Sequence, residues 1–355
     1  MRIAILSPVW FPVPPTGYGG IEWVVSLLAD GLVEAGHEVT LFASGDSRTK
    51  AELASVYDLA PSERIGTSLV EVNHALACFE RAGQFDVVND HSGLPAAALG
   101  GAVATPVLHT VHGPLDGEAG PVYERVARVS PDVGLVSLSL NQRRPLPDLP
   151  WVANCPNAID LEAYPVEPAR GDYLLFLGRL SFDKGAHRAI DVAKVTGLPL
   201  KIAGKMREPL EKEYFEHYVR PNLSWGMEYL GEVSHEEKVD LLQHARVTLF
   251  PISWEEPFGL VMIESMACGT PVVATRFGAV PEVIEHGRSG LIVDDPARLA
   301  EAVEEADGID PLECRRSVEE RFSARRMVAD YVAAYGAVVS GRGAAGALDP
   351  ARPRG

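Results

Sequence analysis

Short apolar runs of strand type alternate with stretches of helical period along this chain, and the alternation runs through twice. Arg2–Leu6 (RIAIL) is followed by Ile21–Ala35, where Ile21, Val24, Val25, Leu28 and Leu32 recur at helical spacing. Val39–Phe42 is again a strand, and Asp86–Val88, Val107–Val111 and Val133–Leu138 continue the series. The pattern restarts at Tyr173–Leu177 (YLLFL), with later strands at Leu200–Ala203, Val247–Phe250, Pro271–Ala274 and Leu291–Val293. Strands separated by helical segments build βαβ units and a parallel sheet. The fold class is therefore α/β, with two doubly wound, Rossmann-like domains. Such sheets bind ligands at the carboxyl ends of their strands, so two facing edges would put the ligand in a cleft between domains.

The expected boundaries are residues 1–165 for the first domain and 166–322 for the second. A last helix, opened by Ser323 and running to about Ser340, is expected to pack back on the first domain, and residues 341–355 form a disordered tail poor in large apolar residues. Val166–Gly171 (VEPARG) reads as the linker. Ser234-His235-Glu236-Glu237 fits a capping box opening a helix through about His244.

Composition removes several functions. The 355 residues carry a net charge of −17, and residues 1–170 hold 10 basic against 20 acidic side chains, so no basic face suits a nucleic acid. The local exception is Arg179–Arg207, with seven Lys/Arg against Asp183 and Asp191, which suggests a small anionic ligand. Four scattered cysteines offer no zinc spacing and fit a reducing, cytoplasmic setting. No apolar stretch reaches the roughly 18 residues of an ordinary spanning helix, though peripheral membrane contact remains compatible.

Three segments carry chemistry. Gly17-Tyr18-Gly19-Gly20 lies between the first strand and the first long helix, where backbone N–H groups can approach an anion. A dinucleotide fingerprint fails there, because Glu22 occupies the position of the third glycine. Gly178-Arg179-Leu180-Ser181-Phe182-Asp183-Lys184-Gly185 follows YLLFL, so Arg179 and Lys184 can converge on a diphosphate. In Glu255–Glu264 (EEPFGLVMIE), Pro257 and Gly259 mark a loop and a helix start. Glu256 precedes that helix and Glu264 lies more than one turn inside it. Taken alone, Glu264 reads as an ordinary helix-surface carboxylate.

Taken together, these segments resemble GT-B glycosyltransferases of family 4 (glycosyl transferases group 1). Glu256–Glu264 is similar to the family's E-x7-E motif, and GRLSFDKG to its G-R-L-x-x-x-K-G. TPVVAT, GRSGLIV, CPNAID and the opening RIAILSP with GYGGIE also match, in order, over roughly residues 1–340. The resemblance implies retaining transfer of a hexose from a nucleotide-diphosphate sugar, with UDP-hexose the default, to an unassigned acceptor hydroxyl. It implies Arg179 and Lys184 on the diphosphate, with Gly19 and Gly20 closing over it. Glu256 would take the sugar hydroxyls and Glu264 the ribose. Backbone groups of Phe258, Gly259 and Leu260 would meet sugar and phosphate, Val233 would lie near the base, and His112 would contact the sugar by the reacting carbon. Asn89-Asp90-His91 stands where relatives often carry a His-x-His pair, which places Asp90 and His91 on the acceptor side. Asn157-Ala158-Ile159-Asp160 departs from the family's Asn-Gly turn.

No D-x-D triplet occurs, so the expectation is metal-independent catalysis with no resident cofactor, the cations and a helix N-terminus carrying the leaving charge. The alternatives are a nucleotide-sugar epimerase or binding protein on the same fold, and an NAD-dependent oxidoreductase.

Overall fold

The structure, a computed structural model, describes residues 1–17, 19–166 and 171–341. Most of the expected linker and all of the expected disordered tail beyond Gly341 lie outside these residues. The chain forms two compact units. One comprises Met1–Pro15, Gly19–Ala158 and the chain from Ala324 onward, and the other Ile159–Ser323 together with Thr16 and Gly17.

The first unit is a seven-stranded parallel sheet of order β3-β2-β1-β4-β5-β6-β7. Its strands are β1 (Arg2–Leu6), β2 (Glu38–Phe42), β3 (Glu52–Ala54), β4 (Val87–Asp90), β5 (Val107–Thr110), β6 (Val133–Ser137) and β7 (Trp151–Asn154). Helices cover both faces of such a sheet, so its strands read as unbroken apolar runs. Ile3, Ala4, Ile5 and Leu6 are all fully buried. The helix Gly20–Glu34 packs against the C-terminal helix Ala324–Val339, which belongs to this unit. Gly31 permits the approach, since a Cβ there would lie 2.6 Å from Val328 Cγ2.

The second unit is a six-stranded parallel sheet of order β10-β9-β8-β11-β12-β13. Its strands are β8 (Tyr173–Leu177), β9 (Leu200–Ala203), β10 (Met227–Gly231), β11 (Ala245–Phe250), β12 (Val272–Thr275) and β13 (Gly290–Val293). The capping box on the helix His235–Gln243 forms as its sequence dictates, the Glu237 amide donating to Ser234 Oγ at 3.2 Å.

The divisions fall at Ala158/Ile159 and Ser323/Ala324, rather than at 165/166 and 322/323. The chain's two passages are tied there, because the Ile159 amide donates to Phe322 O at 3.2 Å and Ile159 bridges Ser323. Both residues thus fold with the second unit.

Each sheet reverses its strand order at one point, between β1 and β4 in the first and between β8 and β11 in the second. Open α/β sheets leave a crevice for ligand beyond the strand ends at such a reversal. Arg179, Lys184 and Glu256 lie on the loops leaving β8 and β11.

Candidate active site

In the second unit, β8 and β11 are hydrogen-bonded neighbours, Leu175 opposite Thr248 and Phe176 opposite Leu249. Both therefore deliver their following loops to one edge. The loop after β8 carries Arg179, a third exposed with its guanidinium 4.0 Å from Asp183 Oδ2. It also carries Lys184, whose ammonium bonds Glu256 and lies 4.6 Å from the Trp254 ring centroid. Gly185 then opens the helix Ala186–Thr196 in a left-handed conformation (φ 81°), and a Cβ there would meet Pro251 O at 2.3 Å. That close approach holds the two loops together. Ser181 Oγ and Trp254 Nε1 beside them are buried and, among the described residues, have no hydrogen-bond partner. Buried donors of this kind ordinarily have partners, so an incoming ligand suits them.

The loop after β11 ends at Gly259, which caps the helix Leu260–Ala267 with φ 83°. The first-turn amides of that helix lack intrahelical acceptors and favour an anion. Glu256 is buried just before it, and Phe258 is buried with its ring 5.6 Å from Phe322. Leu260 is the first helical residue. Val233 is half-buried in the turn between β10 and the helix His235–Gln243.

Glu264 is not a surface carboxylate. It is 9% exposed, and its Oε1 accepts from Tyr164 Oη at 2.8 Å and Lys238 Nζ at 2.6 Å. Burial first, then the Glu264 charge, pushes the Tyr164 phenol up, so it remains a donor. Tyr164 and Lys238 carry no motif and come from 100 and 26 positions away in sequence.

The cationic segment divides in two. Arg207 pairs with Glu232 at 2.8 Å, Lys194 donates to Asn222, Lys201 lies over the Tyr173 ring and Lys205 bonds Glu208. Their charge is met by local groups. Arg179 and Lys184 stand at the strand reversal.

In the first unit, Gly19 has φ 151°, and a Cβ there would meet Pro15 at 2.8 Å and Glu22 Oε2 at 2.9 Å. No side chain fits, so the loop needs glycine before Gly20 begins the helix. Glu22, in the first turn, is buried, and desolvation pushes its carboxyl up to about 7.

His112 lies two residues past β5, half-buried, with Nε2 2.9 Å from His91 Nδ1. His91 Nε2 is 3.0 Å from Asn89 Oδ1. Enclosure, with His109 adding, pushes the His112 imidazole down to about 3, and desolvation followed by His112 holds His91 well below the usual histidine range. Both rings are neutral.

Asp90 and His91, expected on the acceptor side, are both buried and hydrogen-bonded within the first unit. Asp90 is fully buried, its Oδ2 2.6 Å from His109 Nδ1 while Oδ1 accepts from the Ser92 amide and hydroxyl, each at 2.7 Å. His91 is 2% exposed and spent on Asn89 and His112. Asp90 ends β4 and His91 is the first residue beyond it.

Two parallel doubly wound α/β units are the architecture of the GT-B glycosyltransferases. The family model for glycosyl transferases group 1 matches residues 163–315, and that for glycosyltransferase family 4 matches residues 18–149. Together the two models span most of the chain, which belongs to the group 1 / family 4 glycosyltransferases and is a glycosyltransferase. It is 27% identical over 387 residues to a glycogen synthase of Mycobacterium tuberculosis, covering 93% of this chain and 91% of that protein. It is also 27% identical over 351 residues to a D-inositol 3-phosphate glycosyltransferase of Pseudarthrobacter chlorophenolicus, covering 82% and 83%. Among solved structures, AviGT4, a glycosyltransferase of avilamycin A biosynthesis, superposes with a TM-score of 0.69 at 28% identity over 96% of this chain and 98% of its own. The oxidoreductase alternative falls with this match.

Proposed function

We propose that the chain transfers a hexose from a nucleoside-diphosphate sugar, UDP-hexose in first place, to an acceptor hydroxyl with retention at the anomeric carbon and without a metal ion. The observation that carries this reading is the convergence of Arg179, Lys184 and Glu256 on one edge of the second sheet, with Glu264 a turn further on. Arg179, Lys184 and the first-turn amides of Leu260–Ala267 take the diphosphate charge. Phe258, Gly259 and Leu260 offer backbone groups to it. Glu264 takes the ribose hydroxyls, Val233 lies by the base, and Glu256 takes the sugar hydroxyls.

Retention by same-face attack asks least of these residues. The departing phosphate oxygen accepts the acceptor's proton as the new glycosidic bond forms, and the cations stabilise the leaving group. His112 positions the sugar. Its neutrality matters, because an imidazolium would oppose positive charge growing at the reacting carbon. Glu256 is committed to Lys184, which favours a binding role for it over a nucleophilic one. The four buried cysteines form no disulfide among the described residues, which supports a cytoplasmic setting, and no helix among those residues is long and apolar enough to cross a membrane.

The test is turnover of a panel of UDP-, GDP- and ADP-hexoses in excess EDTA, with product anomers assigned by NMR. The expected result is an α-linked product from an α-linked donor, undiminished by chelation. A β-linked product, or activity that returns only with Mn²⁺ or Mg²⁺, overturns the reading.

A further inference from the structure

The loop after β4 and the C-terminal helix converge on a chain of side-chain hydrogen bonds that ends at His112. Asn89, at the third position of β4, is fully buried. Its Nδ2 lies 3.2 Å from the Leu108 carbonyl and 3.3 Å from Thr110 Oγ1. A backbone carbonyl only accepts, so the amide nitrogen must face Leu108, and Oδ1 must point the other way. Oδ1 receives Tyr335 Oη at 2.7 Å and faces His91 Nε2 at 3.0 Å. The opposite amide orientation would set two carbonyl oxygens against each other.

The remaining protons follow in order. Asn89 Oδ1 has no hydrogen, so His91 Nε2–H donates to it. A neutral imidazole carries one N–H, so His91 Nδ1 is the acceptor. The nitrogen 2.9 Å from it, His112 Nε2, must then be the donor. His112 Nδ1 is left with its lone pair, and no group among the described residues bonds it.

We propose that Asn89 and His91 are positioning residues that lock His112 as its Nε2–H tautomer, presenting Nδ1 as a hydrogen-bond acceptor for a substrate hydroxyl. The inference rests on the sugar-contacting role proposed above for His112. It makes that histidine an acceptor for a hydroxyl, never a donor to one. It also gives the C-terminal helix a part in the site, because Tyr335 and Tyr331 pack against the relay. Tyr331 Oη is 3.1 Å from Thr110 Oγ1, and its ring centroid lies 5.7 Å from that of His91. Both tyrosines are fully buried. Burial and mutual proximity keep both rings of the relay uncharged, which the single-proton argument requires.

The experiment is long-range ¹H–¹⁵N correlation of the histidine rings in the free protein, with the His112 signals assigned by their loss in His112→Gln. An unprotonated ring nitrogen resonates far downfield of a protonated one, so the tautomer is read directly. The expected spectrum shows His112 Nδ1 unprotonated and Nε2 protonated. His91→Phe keeps a ring but removes the acceptor, and should release His112 into a mixture of tautomers. It should also lower kcat about 10-fold while donor KM moves less than about 3-fold. Tyr335→Phe leaves the His91–Asn89 bond in place and should keep the tautomer, which separates the relay from mere packing. A wild-type His112 protonated at Nδ1 overturns the proposal. So does an unchanged His112 spectrum in His91→Phe, or loss of the tautomer in Tyr335→Phe. The wild-type spectrum decides the matter alone if a variant fails to fold. It needs no substrate, so it stands or falls separately from the turnover reading.

Discussion

Glu264 shows what a single carboxylate acquires from its surroundings. Tyr164 and Lys238 hold Oε1 from two sides, which fixes the rotamer and leaves Oε2 for a ligand. If that ligand is a ribose, the loss is selective. A hydrogen bond to a charged group contributes roughly 1.5–3 kcal/mol, so Glu264→Gln should weaken nucleoside diphosphate binding about 10-fold. Inorganic diphosphate, lacking the ribose, should bind the variant and the wild type alike, and calorimetry with both ligands checks the contrast. Motif residues such as Arg179, Lys184, Glu256 and Glu264 are legible because their spacing is set by one strand end and one helix start. Tyr164, Lys238, Trp254, Asn89 and Tyr335 are not. Their partners lie from 2 to 246 positions away, with no local periodicity to announce them.

The elements follow local pattern closely where they are buried on both faces. β8 and β9 fall where their apolar runs begin and end, and the helix His235–Gln243 starts at its capping Ser234. The edge strands β3, β7 and β10 are not among the expected strands, because they are short and partly exposed and no long apolar run marks them. The helix after the Lys184 loop starts at Ala186, because Gly185 takes the left-handed cap. Gly259 plays the same part for the helix Leu260–Ala267. A left-handed conformation costs a residue with Cβ about 1–2 kcal/mol, and the new methyl would press on Met262 and Phe250. Gly259→Ala should lower the urea midpoint accordingly. Gly204→Ala should cost more, since its Cβ would fall 1.7 Å from the Gly178 carbonyl oxygen, a backbone atom that cannot swing aside.

The helix Gly20–Glu34 carries a pH-dependent element. The Glu22 carboxyl sits at about 7 in the fold against an ordinary value of 4.5, so folding favours its neutral form. That preference is neutral in effect below the unfolded value and becomes a penalty as pH rises from about 4.5 to about 7. Glu22→Gln removes the penalty. Its stability relative to wild type should therefore rise across that window by roughly 2–4 kcal/mol and stay level above it. Denaturant unfolding of both proteins at pH 5 and pH 8 provides the comparison, and an equal difference at both values would show that the carboxyl titrates normally.

At the scale of the molecule, an acidic chain of net charge −17 gathers two cations at the strand reversal of its second sheet, each beside a carboxylate, Arg179 by Asp183 and Lys184 by Glu256. The central claim is that this reversal holds a nucleoside diphosphate without metal. Titration of UDP, GDP and ADP into the wild type and into Arg179→Ala/Lys184→Ala, both in EDTA, tests it most directly. Two lost charge-assisted contacts should weaken binding about 100-fold or more. The account predicts that the wild type binds one of the three nucleotides and that the folded double variant loses it. Wild-type affinity retained in the folded double variant, or no binding by the wild type until a divalent ion is added, would contradict it.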